Sequence, residues 1–264
     1  LTRGVDVDLQ QCEHHNSKLI LSEAVPFDQE TVHNMGWLDS PFLPWIATMG
    51  LETLISECVS RAFRFTPEDV AALKALVMQG VAWPTFQEKG YRLSAHDVLT
   101  ALLWKSLAQV HPYHPEEVWD LVVVVNWRGR SETVPPDYFG NATTSPHISV
   151  SMEEILHDMD FSQCALCVRE LSTLSTDGLE QIVAFQNHLQ YGDSQNKGLD
   201  AFVNVEAPMI SNGCGLYISN FCKFDLHDVD FGAGRPELVR FQQPPIPGMC
   251  FAYPEESGKD VTLV

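Results

Sequence analysis

A mixed β-sheet flanked by helices, an α/β fold, is what this sequence of 264 residues predicts. Leu121–Val125 is an unbroken Leu-Val-Val-Val-Val run, the pattern of a strand covered on both faces rather than of a half-exposed one. Two segments before it, 66–80 and 94–110, carry apolar residues at helical spacing. Strand-like stretches dominate after residue 200: Ala201–Val205, Leu216–Phe221 and Met249–Tyr253. A central apolar strand with helical segments on its N-terminal side and further strands beyond it implies helices on both sides of one sheet.

Taken in order, residues 1–62 are rich in turn formers, and Pro26, Pro41 and Pro44 interrupt any long element. They read as a linker with short helices, and 63–264 reads as the main domain. Thr66 caps the first clear helix, Pro67 suits its first position, and Val70, Leu73, Leu76 and Val77 share a face; Gly80 closes it. Ser94 caps a second helix, in which Val98, Leu99, Leu102, Leu103, Leu107 and Val110 form a wide apolar stripe and predict burial. After the central strand, two helical patterns are expected, roughly 151–174 with a break near Phe161 and roughly 176–190. The turn Pro254–Asp260 leads into Val261–Val264 as the second arm of a hairpin.

Composition narrows the function. Lys and Arg number 16 against 35 Asp and Glu, a net charge of −19, which repels nucleic acid and anionic membrane surfaces. No run approaches the roughly 20 apolar residues that span a bilayer, and the first residues do not build a signal peptide, so a cytoplasmic enzyme is the simplest expectation. The chain begins at a leucine, the start expected of a fragment or a processed chain. Seven scattered cysteines, an odd number, point to reduced thiols. Cys164 and Cys167 have redox-motif spacing, but they fall within an apolar helical pattern and read as core thiols. There is no Gly-x-Ser-x-Gly elbow, P-loop, His-Glu-x-x-His or paired Cys-x-x-Cys set, so no metal site is expected.

Three stretches carry more specific information. The first is Phe63-Arg-Phe-Thr-Pro-Glu-Asp-Val-Ala-Ala-Leu-Lys74, followed by Ser94-Ala-His-Asp-Val-Leu-Thr-Ala-Leu-Leu-Trp-Lys105. The second is Val125-Asn-Trp-Arg-Gly-Arg130 with Pro135-Pro-Asp-Tyr-Phe-Gly-Asn141, and the third is Asp230-Phe-Gly-Ala-Gly-Arg-Pro236. In this order and spacing they resemble the C-terminal part of BAHD-like acyltransferases, with the pattern closest to the fungal trichothecene O-acetyltransferase branch. Ala233 stands where that family's signature has tryptophan. The resemblance implies a chloramphenicol-acetyltransferase-like domain, acyl-CoA as co-substrate with no permanently bound cofactor, and an acyl acceptor that is a small molecule of secondary metabolism.

It also implies roles for particular residues. Asp230 is expected to pair with Arg128 or Arg130 and tie the signature loop to the sheet, with Gly232 and Gly234 supplying tight backbone geometry. Tyr138 and Asn141 belong to a turn near the cofactor channel; a plain β-turn fits the same residues. The family's His-His-x-x-x-Asp motif has one counterpart, His14-His15-Asn-Ser-Lys-Leu19, in which Leu19 stands in the aspartate position. His15 is therefore the candidate general base, and His96, in the first turn of the second helix, reads as surface or cap chemistry. The resemblance also implies a catalytic site shared with an N-terminal half; with the His-His-x-x-x-Asp motif upstream of Leu1 the same protein supplies it, and with the motif lost the partner is that half as a separate chain or an identical subunit. Two other functions stay open: a scaffold that lost general-base chemistry and acts as a cyclase or isomerase, and a non-catalytic binding half.

Overall fold

Local capping chemistry sets the helices. In the computed structural model, which describes residues 59–112, 114–130, 134–138, 142–173, 215–241, 248–255 and 260–264, α1 (Pro67–Gln79) starts at Thr66. The Thr66 hydroxyl accepts from the Asp69 amide while the Asp69 carboxylate accepts from the Thr66 amide. Ser94 and Asp97 repeat this reciprocal box at α3 (Ala95–Val110), and Asp160 and Gln163 repeat it at α4 (Phe161–Ser172). A short helix, α2 (Trp83–Glu88), which the sequence pattern did not reveal, lies between α1 and α3 and buries Phe86.

The strands are β1 (Phe63–Phe65), β2 (Val118–Val123), β5 (His147–Ser151), β6 (Gly215–Asn220), β7 (Met249–Pro254) and β8 (Val261–Leu263), with a separate two-stranded ribbon of β3 (Val125–Asn126) and β4 (Thr143–Thr144). They form one sheet in the order β1-β8-β7-β6-β2-β5. It is mixed: β2 pairs parallel with β6, and β6 parallel with β7, while β5, β8 and β1 join antiparallel. The mixed sheet and the hairpin of β7 with β8 agree with expectation. Ala201–Val205 and the helix expected at 176–190 lie outside the described residues, as does nearly all of the 1–62 linker.

α3 packs against α4, α1 and β6, and the core between helices and sheet closes on Trp104, Leu121, Ile155, Leu216 and Ile218. The expected stripe of α3 holds at Val98 and Leu99, which are buried, and at Leu103 and Leu107, which pack against the core, but not at Val110, which is exposed, as is Leu76 of α1; α3 also buries Asp97, Ala101, Trp104 and Ala108. The small side chains of Ala101 and Ala108 let the helix backbone come close to its neighbours, a choice that hydrophobicity alone does not show. The helical pattern expected from 151 with a break near Phe161 is seen from Met152, with a π-helical turn over Glu154–Asp158 and an interruption at 159–160 before α4; Ser151 itself ends β5. Lys105 from α3 donates to the Ile155 and Met159 carbonyls of that turn, satisfying acceptors that the wide turn frees.

Gly80 does close α1, but not by a left-handed cap: its φ is −85°. A Cβ there would run into the Ser162 side chain. The Ser162 hydroxyl accepts from the Ala82 amide at 2.9 Å and donates to Asp160 at 2.7 Å, so the turn after α1 is tied to the start of α4. Gly80→Ala is therefore expected to destabilise the fold by about 1–3 kcal/mol, read as a lower urea midpoint with an unchanged m-value.

Candidate functional site

The N-terminal part of α3 carries two fully buried polar side chains, Asp97 and Thr100. Asp97 is 0% exposed and forms an ion pair with Arg169 from α4. Its Oδ2 also accepts from the Ser94 amide at 2.6 Å. Asp97 Oδ1 and Arg169 Nε have no hydrogen-bond partner, so the pair is held by one contact rather than by the two-point fork an arginine can make.

His96, one residue earlier, points to the other side of the turn. Its Nδ1 faces the Thr100 hydroxyl at 3.3 Å. It lines a pocket with Thr100, Ile218, Asn220, Cys222 and Leu263, between the start of α3 and the ends of β6 and β8. Burial pushes the imidazole down to about 4; Asp97 counteracts this weakly, and Arg169 and Lys223 add to it. This corrects the reading of His96 as surface chemistry. The cause is tertiary, since β6 and β8 come from more than a hundred residues away to cover it. The cavity, about 40 Å³, has room for little more than one water. Cys222 at its wall is pushed up to about 11 by burial, and Cys164 and Cys167 to about 11 and about 12, so these are inert thiols, as expected for the α4 pair.

Arg128 and Arg130 flank the β3–β4 ribbon. Trp127, Val134, Tyr138 and Ala142 form a small second core there. Arg128 donates to the Tyr138 carbonyl and to Asn126 Oδ1, both at 2.9 Å, and lies 6.0 Å from the Tyr138 ring centre. Arg130 donates to the Ser172 carbonyl at 2.8 Å, at the negative end of α4. Tyr138 is thus buried, with its ring packed inside the ribbon. Asn141 and His15 lie outside the described residues.

The Asp230 loop differs from expectation. Asp230 Oδ1 accepts from the amides of Gly232 at 2.6 Å and Gly234 at 3.0 Å, and these bonds hold its carboxyl below the usual range. Gly232 and Gly234 have φ of 99° and 108°, which only glycine adopts without strain. The expected ion pair of Asp230 with Arg128 or Arg130 is absent. Its carboxylate is spent on its own turn, and the arginines bind carbonyls and Asn126 instead. His227 faces the carbonyls of Pro236 and Pro254, docking this loop onto β7.

A mixed sheet, six-stranded among the described residues, carrying capped helices and these loops defines a domain of the CoA-dependent acyltransferase fold. Comparison with solved structures agrees. F. sporotrichioides TRI101 with coenzyme A and T-2 aligns with a TM-score of 0.60 at 19% identity, over 90% of this chain and 54% of that one. Vinorine synthase aligns with a TM-score of 0.53 at 21% identity, over 77% of this chain and 42% of that one. Residues 48–264 match the model of the Transferase family, and the chain belongs to that family, the BAHD acyltransferases. Tryptamine hydroxycinnamoyltransferase 2 of Oryza sativa subsp. japonica is 28% identical over 200 residues, which is 75% of this chain and 42% of that protein. An O-acetyltransferase of Aspergillus campestris is 35% identical over 98 residues, 36% of this chain and 18% of that protein. The chain spans less than half the length of the curated relatives it matches. No helix among the described residues is long and apolar enough to cross a membrane.

Proposed function

We propose that this chain is the C-terminal part of an acyltransferase that moves an acyl group from acyl-CoA to a hydroxyl or amine of a small secondary metabolite. The family match over residues 48–264 carries the reading. Relatives named for transfer to tryptamine, spermidine and agmatine support a small amine as acceptor, and the coenzyme A complexes of a structural neighbour support the donor. The active site lies between this part and an N-terminal half. The chain works in the cytoplasm of a fungal cell.

His15 is the proposed general base. The acceptor O–H or N–H gives its proton to the imidazole as the acceptor atom bonds to the thioester carbonyl carbon; the C–S bond then breaks, and the coenzyme A thiolate takes up the proton. No covalent enzyme intermediate is needed. His96 does not take this part, since an imidazole titrating near 4 is a weak base at neutral pH. The turn anchored by Tyr138, together with Asn141 three residues later in the sequence, is the proposed contact with coenzyme A.

Incubation of the full chain with acetyl-CoA and tryptamine is expected to release free thiol, and His15→Ala is expected to reduce the rate by about 10²–10⁴-fold. Thiol release unaffected by that change removes His15 from the mechanism. Leu19 in place of the motif's aspartate favours a second reading, an acyltransferase scaffold acting as a cyclase or isomerase. Substrate isomerisation without thiol release supports that reading against transfer.

A further inference from the structure

His227 ties three separate stretches of backbone together. It sits in the 3-10 turn Leu226–Asp228, on the segment that leaves the end of β6 and returns past Pro236 towards β7. Pairing of β6 with β7 ends at Asn220 and Ala252, and the Phe221 amide adds one more bond, to the Ala252 carbonyl at 2.8 Å. Carbonyls on one edge of a strand recur at every second residue, so the Pro254 carbonyl points the same way, where β6 has already turned off. The imidazole takes the place of the missing amide: Nε2 lies 3.2 Å from the Pro254 carbonyl oxygen, and Nδ1 lies 3.0 Å from the Pro236 carbonyl oxygen.

A carbonyl oxygen can only accept, so each of these contacts requires an N–H on the ring. A neutral imidazole has one N–H and one bare lone pair, and satisfies one carbonyl while turning the lone pair on the other. The imidazolium has two N–H groups and satisfies both. The ring is half-buried, so protons reach it from solvent. The ionisable groups of the segments that meet at the ring are Lys223, Asp225, Asp228 and Asp230 on its own, Arg235, Glu237 and Arg240 on the returning one, Tyr253 and Glu255 at the end of β7, and Asp260 and Arg64 beyond them. Asp228 pairs with Arg235 at 2.9 Å, Glu255 with Arg240 at 2.7 Å and Asp260 with Arg64, and Asp230 is held by the amides of its own turn. Among the described residues none of them forms an ion pair with His227, so the two carbonyls are what the ring answers to.

We propose that His227 is a proton-operated latch on the Asp230 loop. With the ring charged, one imidazolium holds the return of the loop at Pro236 and the sheet at Pro254 at once. With the ring neutral, one of the two bonds is lost and a lone pair faces a carbonyl oxygen. Protonation and docking favour each other, so the loop is held at pH below the range in which an imidazole titrates and loosens from β7 as pH rises through it. The latch does not depend on the acyltransferase reading.

The test is hydrogen exchange of the peptide 221–241 in the full chain, corrected for the intrinsic pH dependence of exchange, between about pH 5.5 and about pH 8, on either side of the imidazole range. Wild-type protection of this peptide is expected to fall by about tenfold from the acid to the alkaline end, the difference between a charged and a neutral donor. Peptides from β2 and α3 serve as the reference. His96 acts in the opposite sense, since its burial makes stability rise with pH, so a loss of protection on raising the pH is not its effect. His227→Gln has one amide nitrogen, which cannot span both carbonyls and does not titrate, and is expected to show a flat profile at the level of the alkaline wild type. The ring 15N chemical shifts of His227 read its protonation directly and are expected to show two N–H nitrogens wherever the loop is protected. The latch is overturned by wild-type protection that is constant across the range, by a pH profile shared with His227→Gln, or by a neutral ring in a fully protected loop. The ring shifts are read on the wild type, so they decide the matter even if His227→Gln does not fold.

Discussion

Replacing Arg169 with methionine is expected to lower the stability of the fold by about 3–5 kcal/mol. Asp97 is fully buried, Arg169 is its one cationic partner among the described residues, and Asp97 Oδ1 is already without a hydrogen bond there. Methionine fills the space of the arginine stem but leaves a carboxylate inside the α3–α4 interface with only the Ser94 amide for support. Desolvation of that charge, rather than loss of attraction, dominates the cost. It follows that the double variant Asp97→Asn with Arg169→Met recovers most of the loss, because asparagine still accepts from the Ser94 amide and carries no charge. Urea unfolding followed by circular dichroism measures both. A double variant no more stable than Arg169→Met alone would show that the buried charge is not the source of the effect.

His96 should make the fold acid-sensitive in a defined window. Its unfolded-state value is 6.5 and burial lowers it to about 4 in the fold. Between these values the unfolded chain binds a proton at this site that the folded chain does not, so stability rises with pH across the window. Stability is therefore fully present above about 6.5 and is lost as pH falls towards 4, by about 3 kcal/mol from this residue. His96→Gln removes the titrating group while keeping a polar side chain towards Thr100. Subtracting the variant's stability profile from that of the wild type between pH 7 and 4 isolates the contribution from carboxylates that titrate in the same direction. A difference profile that is flat across the window contradicts the burial of a neutral imidazole at this site.

What could be read from the sequence was what neighbouring residues decide. Thr66, Ser94 and the Leu121–Val125 run predicted two helices and a covered strand, since caps and periodicity act over a few residues. The spaced motifs around Trp104, Arg128 and Asp230 identified the family, and with it the fold. The helical pattern read from residue 151 with a break near Phe161 missed only its first residue, since pairing of Ser151 with Val118 of β2 made it the end of a strand.

The rest was decided by tertiary structure. Asp97 meets Arg169 across 72 positions of the chain, and β2 lies between β5 and β6, whose residues are far apart in sequence. The same holds for Gly80, required by the approach of Ser162 rather than by its own dihedral angles. Asp230 shows the converse, a residue expected to pair at long range that is satisfied by two amides of its own turn. Composition and spacing determined the class of fold, because hydrophobic period and capping are local and chemically specific. Which side chains are desolvated, and so which histidine is held neutral and which carboxylate needs its arginine, was set only when distant strands and helices closed over them, because burial belongs to the packed arrangement and not to any one segment.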